Sequence, residues 1–332
     1  MSCDTTPSSA THSWTLDEVM GLFALPFGNL MDQARQVHLK HFDPNAIQVS
    51  TLLNIKTGAC PENCSYCPQS AHFDTGLENK PLMDEEAVFQ AAQKAKSIGS
   101  TRFCMGAAWR GPRDEDLEKV AHMVSRIKAL GMETCVTLGL LKQHQAERLK
   151  EAGLDYYNHN IDTSESFYEE IISTRTFSDR VRTLEYVEEA GINTCCGGII
   201  GMGEAPAHRA QMLHFLASKK LPPKSVPINM LIRVPGTPLA DQLPVDPFDF
   251  IRTVAVARIL LPTSHVRLSA GRSAMSDEMQ AWCFYAGANS IHYGEKLLVT
   301  SNAAPEEDRA LMNRLGIYPE KCDESCFVQE AS

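Results

Sequence analysis

Residues 131–162 read GMETCVTLGLLKQHQAERLKEAGLDYYNHNID, and this stretch decides how the rest of the chain is parsed. METCVTLG is a short β-rich run, residues 144–152 carry helical spacing, and DYYNHNID is β-rich again. Gly131 and Gly153 stand where a helix must stop and the next strand begin, the place of a C-cap glycine. Strand, helix, glycine, strand is the unit of a parallel sheet, because parallel neighbours need a crossover connection.

The unit repeats outward in both directions. Upstream, VSTLLNI precedes a helical 84–98 and RFCMGAA precedes 114–130. Downstream, DYYNHNID is followed by a helix over about 178–190, NTCCGGII by 206–218, SVPINMLI by 248–260, HVRLSA by 275–286 and SIHYG by 305–315. Gly99 and Gly191 repeat the punctuation. Roughly eight such units predict an α/β fold, a (β/α)8 TIM-type barrel over 46–316, in preference to an open doubly wound sheet. Residues 1–45 are expected to form an N-terminal helical extension, with helical spacing over 14–42 broken near Pro26 and Gly28. The acidic, aperiodic 317–332 is expected to be a short flexible tail.

The formal charge of -10 and pI near 5.6 argue against nucleic acid as the main partner, since phosphate neutralisation needs a surplus of Lys and Arg. No stretch approaches the roughly 20 apolar residues needed to span a bilayer. The first residues, MSCDTTPSSATHSW, offer no apolar signal-peptide core, so a soluble cytoplasmic protein is expected. In the cytosol thiols stay reduced, so an odd set of 11 cysteines reads as metal or catalytic chemistry and not as a disulfide framework.

Directly after the first predicted strand comes TGACPENCSYCPQSA, with Cys60, Cys64 and Cys67 in CxxxCxxC spacing. Gly58, Pro61 and Pro68 make the segment a loop, so three thiolates can converge on one inorganic cluster. The plainer readings are structural zinc or three buried thiols. Structural zinc normally takes four N or S ligands, and no fourth Cys or His stands at a finger-like spacing. A 4Fe-4S cube on three thiolates leaves one iron open, which makes it a reagent and not an electron relay. CxxxCxxC with an aromatic residue, Tyr66, before the third cysteine resembles the radical S-adenosylmethionine superfamily.

Parallel barrels place chemistry at the C-terminal ends of their strands. Asn158, Asn160 and Asp162 lie at i, i+2 and i+4, which on an extended strand puts all three on one face. Cys104, Cys135, a cysteine at 195 or 196, and Arg267 each fall in a separate predicted strand. Singly each cysteine reads as a small buried hydrophobe; together, directed into one barrel, they could hold a second, deeper cluster. Periodicity cannot choose between Cys195 and Cys196, which point to opposite faces. GGIIGMGE (197–204) offers glycines for close backbone approach and an acid, a plausible ligand cradle.

The segments STLLNIKTGACPENCSYCPQSA, GSTRFCMGAAWR, LDYYNHNIDTS, GGIIGMGE, SVPINMLIRVPGTPLA and PTSHVRLSAGR, spread over about residues 35–300, resemble the hallmark blocks of the biotin synthase family. The resemblance implies that Cys60, Cys64 and Cys67 hold a 4Fe-4S cluster whose open iron binds S-adenosylmethionine. The 5'-deoxyadenosyl radical would then take hydrogen from two carbons of dethiobiotin. It implies a 2Fe-2S cluster on Cys104, Cys135, Cys195 and Arg267 as the sulfur source, which selects Cys195 over Cys196. By the same resemblance Asn160, Asp162 and Arg180 contact S-adenosylmethionine, Tyr66 and Trp109 line its site, and Asn158 and Asn229 recognise the ureido ring of dethiobiotin. A neutral ureido group suits amide donors and acceptors. Arg267 is the point of tension, because a guanidinium is an obligate donor and physics alone would place it beside the cluster.

The resemblance also implies a homodimer and a flavodoxin or ferredoxin as electron donor. The alternative enzyme is another radical S-adenosylmethionine barrel without sulfur insertion, against which the three strand cysteines and Arg267 speak. An electron carrier or zinc-stabilised binding protein would need no asparagine-aspartate strand. Cys322 and Cys326, a CxxxC in the tail, are assigned no function.

Overall fold

The computed structural model describes residues 13–294 and 296–320. Helix α1 (Leu16–Ala24), opened by a Thr15–Glu18 capping box, and α2 (Phe27–His41) precede the barrel, with the break at Pro26 as expected. The barrel then runs β1 (Ala46–Lys56), α3 (Glu85–Ser97), β2 (Arg102–Ala107), α4 (Asp114–Ala129), β3 (Glu133–Thr137) and α5 (Gln143–Glu151). It continues with β4 (Tyr156–Asn158), α6 (Glu165–Ile171), α7 (Phe177–Glu189), β5 (Asn193–Cys195), β6 (Gly198–Ile200), α8 (Pro206–Ala217), β7 (Ser225–Met230) and α9 (Pro247–Leu260). Last come β8 (His265–Leu268), α10 (Asp277–Tyr285), β9 (Ser290–His292), β10 (Lys296–Leu297), β11 (Thr300–Ser301), α11 (Pro305–Leu315) and β12 (Tyr318–Pro319).

Strands pair in parallel in the order β1-β2-β3-β4-β5-β7-β8-β9, and β9 returns to β1 through Gln48↔Ser290 and Ser50↔His292, closing the barrel. The eight predicted strand runs are its eight staves, and the open sheet is ruled out. Gly99, Gly131, Gly153 and Gly191 all take positive φ after their helices, a conformation glycine adopts without a side-chain clash.

Four details differ from the sequence reading. NTCCGGII is broken into β5 and β6 at Cys196 and Gly197, because a Cβ on Gly197 would stand 2.0 Å from the Pro227 carbonyl oxygen and only glycine fits there. β4 ends at Asn158, and Asp162 has φ +67°, so Asn160 and Asp162 lie in the loop past the strand and not on its face. The short α6 and the β10–β11 hairpin carry too few residues to show a period. Beyond Leu315 the chain still packs. β12 pairs with Ala46 and Ile47 of β1, and the Tyr318 hydroxyl donates to Asp43. Cys322 and Cys326 lie outside the described residues.

The apolar core sits between the strands and the helices. Phe103, Met105 and Val136 point outward to α3, α4 and α5, while Val226, Val266 and Leu268 belong to the core on the α8–α9 side. The inward positions carry polar groups instead of the aliphatic layers usual in such barrels. Gln48, Ser50, Arg102, Arg267 and Ser290 are all buried there. Buried polar groups are tolerable when hydrogen-bonded, and Gln48, Ser50, Arg267 and Ser290 form a network. Arg267 donates to Ser290 at 2.8 Å, Gln48 at 2.9 Å and Ser50 at 3.0 Å. No helix among the described residues is long and apolar enough to cross a membrane.

Candidate active site

The network is the floor of a cavity that opens at the C-terminal ends of the strands. The loop after β1 and the hairpin β10–β11 form its rim. Cys60, Cys64, Cys67, Cys104, Cys135, Cys195 and Arg267 all line this one space, the first three at the rim and the others deeper.

The rim loop is held from both sides. Gly58 and Ala59 take positive φ, and Cys60 is bridged to the returning chain by its N–H to Gln69 O (3.0 Å) and its carbonyl to Ala71 N (2.7 Å). The Ser65 N–H reaches Ile171 O at 3.0 Å, and Asn63 donates to Ser173 Oγ at 2.7 Å, tying the loop to the segment between α6 and α7. From that segment Arg175 donates Nη2 to Cys64 Sγ at 3.5 Å. Burial pushes all three rim thiols up, Cys67 to about 12, so thiolates need a compensating cation. Arg175 provides part of that charge, and bound iron would provide the rest.

Deeper in, Cys104, Cys135 and Cys195 from β2, β3 and β5 touch one another and Tyr156. Cys135 lies within hydrogen-bonding reach of both neighbours, which raises its own thiol and lowers theirs, Cys195 to about 6 with help from Arg267. Cys196 is turned to the outer core, and burial pushes it up to about 12. The structure thus puts Cys195, not Cys196, in the cavity. Beneath them Arg102 stacks on Tyr156 at 3.5 Å from the ring centre and pairs with Glu133 at 2.8 Å.

No three His, Cys, Asp or Glu side chains among the described residues are gathered tightly enough for a single metal ion. A multi-iron cluster spreads its thiolates over two or more irons, so its ligands stand wider than those of one ion. Two thiolate triads, one with a guanidinium beside it, fit clusters and not zinc.

Between the triads lie the remaining expected residues. Asp162 is buried, pairs with Arg180 and accepts from the Tyr66 hydroxyl at 2.6 Å. Arg180 also donates to Tyr168 and to the Asn160 carbonyl, and Asn160 Oδ1 accepts from Gly197 N at 3.1 Å. Although off the strand, Asn160 and Asp162 still face the cavity with Trp109. Asn158 donates to Thr137 at 2.9 Å, and its Oδ1 is buried with no partner. Asn229 is used at both ends, donating to Gly198 O (2.9 Å) and accepting from Ala270 N (3.1 Å), so it braces β6 and the loop after β8 while lining the cavity.

Within GGIIGMGE, Ile199 lines the cavity and Glu204 is turned to its own loop. Its carboxylate accepts from Gly201 N, Met202 N and, at 2.7 Å, Arg209 Nε, and so ties that loop. Sequence reasoning missed Arg175, which has no motif of its own and reaches Cys64 only through the fold. It also missed Leu298, at φ +55° on the hairpin tip, whose side chain covers Gly106 so closely that a Cβ there would meet it at 2.5 Å.

Residues 54–216 match the Radical SAM superfamily model, and residues 227–318 match the Biotin and Thiamin Synthesis associated domain. Among solved structures, methylornithine synthase superposes with a TM-score of 0.79 at 17% identity, covering 94% of this chain and 95% of that one. The hydrogenase maturase HydG gives 0.81 at 18%, covering 95% and 73%. At such identities these two establish the barrel alone. Curated relatives go further. The biotin synthase of Methylococcus capsulatus is 64% identical over 92% of this chain and 94% of its own length, and that of Alkalilimnicola ehrlichii is 61% identical over 94% of each. With identity that high over more than nine-tenths of both chains, the chain belongs to the biotin synthase family.

Proposed function

We propose that this chain inserts sulfur into dethiobiotin to form biotin. In this reading Cys60, Cys64 and Cys67 hold a 4Fe-4S cluster, and Cys104, Cys135, Cys195 and Arg267 hold a 2Fe-2S cluster. The observation that carries it is the pair of thiol triads at the rim and floor of one cavity, with amide and carboxylate groups between them. When bound, the first cluster with S-adenosylmethionine supplies a carbon-centred radical that removes hydrogen from the substrate, and the second supplies the sulfur.

The chain's own residues hold, orient and shield. Asp162, fixed by Arg180 and Tyr66, presents a carboxylate at the level between the triads, suited to the hydroxyls of a nucleoside. Asn160, Arg180, Tyr66 and Trp109 complete the S-adenosylmethionine site. Asn158 offers the ureido ring its unpartnered Oδ1, an acceptor for a ring N–H, and Asn229 flanks it. Arg267, pinned by three neutral partners, is held in one orientation at the floor beside the cysteines. Leu298 and the hairpin narrow the mouth, which keeps water from a reactive carbon centre.

Family kinship also supports a cytoplasmic homodimer that takes electrons from a flavodoxin or ferredoxin. Anaerobic reconstitution should load about six irons per chain in two spectroscopically distinct sets. Incubation with dethiobiotin, S-adenosylmethionine and reductant should release 5'-deoxyadenosine and biotin. Release of neither would overturn the reading, and 5'-deoxyadenosine without biotin would favour a radical enzyme lacking sulfur insertion.

A further inference from the structure

Arg175 is the cation whose hydrogen bond ends on a rim sulfur; among the described residues no other Lys or Arg bonds Cys60, Cys64 or Cys67. Its side chain is 8% exposed and lines the cavity, with Nη2 3.5 Å from Cys64 Sγ. The neighbouring cations are committed elsewhere. Arg180 pairs with Asp162, and Lys56 donates to the Gly58 and Ala108 carbonyls. Buried Glu62 has Arg110 at 3.1 Å to balance its charge. Arg175 Nε is 3.8 Å from Glu62 Oε2, too long for a hydrogen bond, so the guanidinium is directed at sulfur and not at the carboxylate.

The backbone holds the two partners together. Asn63 Oδ1 accepts from Ser173 N at 3.0 Å and from Thr174 N at 3.2 Å, and Asn63 N donates to Thr174 Oγ1 at 3.1 Å. Arg110 Nη1 fixes the Thr174 carbonyl at 2.7 Å. Asn63 precedes Cys64 and Thr174 precedes Arg175, so sulfur and guanidinium ride on segments stitched to each other. A cluster held by this loop gains one negative charge when it takes an electron, with no proton to offset it. A charge-assisted N–H to sulfur bond stabilises that reduced state more than the oxidised one, and in a buried wall the effect is little screened. Hydrogen bonds to the sulfurs and local charge are what set the potential of such clusters.

We propose that Arg175, through its bond to Cys64 Sγ, raises the reduction potential of the rim 4Fe-4S cluster into the reach of a low-potential one-electron protein donor. The donor supplies the electron, the cluster takes it, and no bond to Arg175 is made or broken. Arg175 is therefore a positioning residue that acts through the cluster. The inference rests on the function proposed above. The test is a redox titration of the anaerobically reconstituted enzyme without S-adenosylmethionine, in the parent, Arg175→Met, Arg175→Gln and Arg175→Lys. Electron paramagnetic resonance reads the reduced 4Fe-4S cluster, and iron content and both cluster absorption spectra are recorded alongside. The 2Fe-2S cluster, whose charged neighbours are Arg267 and Arg102, is the internal control.

The expected result in Arg175→Met is about a tenfold smaller ratio of reduced to oxidised 4Fe-4S cluster at a fixed applied potential, the size of one hydrogen bond to a charged group and a midpoint about 59 mV lower. Arg175→Lys, which keeps the charge, should recover at least half of the shift, and the 2Fe-2S midpoint should stay unchanged. Arg175→Gln, neutral but able to donate, should fall part of the way. If Arg175→Met loses its rim iron, Arg175→Gln decides alone: a lowered midpoint supports the inference and the parent's midpoint overturns it. Equal midpoints in the parent and every variant overturn the inference and leave the proposed function standing. So does an equal fall in Arg175→Met and Arg175→Lys, which would mean that altered packing is the cause, and so does an equal shift of both clusters. A parent enzyme that loads no 4Fe-4S cluster removes the proposed function and this inference together.

Discussion

Asp162→Asn, Arg180→Met and the double variant test whether the buried pair between the triads is a working electrostatic unit. Both side chains are 4% exposed or less. Removing one partner of such a pair strands the other charge and costs about 3–5 kcal/mol. In Asp162→Asn the new amide oxygen can still accept from Tyr66, and Arg180 keeps Tyr168 and the Asn160 carbonyl, so the loss should fall at the low end, about 3 kcal/mol. Asparagine tolerates the left-handed backbone at 162, so strain adds nothing. Arg180→Met leaves the Asp162 carboxylate with Tyr66 alone and should cost about 4 kcal/mol. The double variant removes both charges and should also lose about 4 kcal/mol, giving a coupling near 3 kcal/mol. Anaerobic urea denaturation, with m-values checked for constancy, reads all three. Losses that add to within about 0.5 kcal/mol would show that the two charges do not support each other.

His38, buried between α2 and α9 with neither ring nitrogen bonded, is pushed by burial, then by Arg258 and Arg35 against a smaller opposing effect of Asp43, down to about 3. The unfolded chain therefore binds a proton that the native state refuses between pH 6.5 and about 3. Stability should fall as pH drops through that window, by up to about 1.4 kcal/mol per pH unit from this group, and His38→Leu should show a flatter pH dependence in urea melts. Asn158→Ala should weaken dethiobiotin binding about tenfold by calorimetry while changing stability by less than about 1 kcal/mol, because only the Thr137 hydrogen bond is lost. Arg267→Met should alter or abolish the 2Fe-2S absorption while leaving about four irons of the other kind. An unchanged spectrum with unchanged activity would remove Arg267 from the ligand set.

How much of this could be read from the chain depends on the range of the contact. The barrel is legible because each βα unit is local: the run at 132–139, the helix over 143–151 and Gly153 sit side by side, and their repetition is the fold. The rim triad is legible for the same reason, since Cys60, Cys64 and Cys67 share one loop. Arg175 on Cys64, and Asn158 and His292 on one cavity wall, are not, because only the closed fold brings them together.

The pair at 195 and 196 marks the boundary between the two cases. Alternation says that one cysteine faces in and the other out, but it gives no absolute phase. Phase comes from a distant element, the pairing of Cys195 with Ser225, and from Gly197, where the Pro227 carbonyl leaves no room for a side chain. The strand therefore breaks at Cys196 and Gly197, yet the register with β7 is the same on both sides, Cys195 lying opposite Ser225 and Gly198 opposite Ile228. A Gly197→Ala substitution should disturb this junction first. The added methyl must push β7 away from the break, so Cys195 should lose its contact with Cys135 before the fold as a whole is lost. Loss of the 2Fe-2S signal at a urea concentration where far-ultraviolet circular dichroism is still native is the expected result, and coincident loss of the two would refute it.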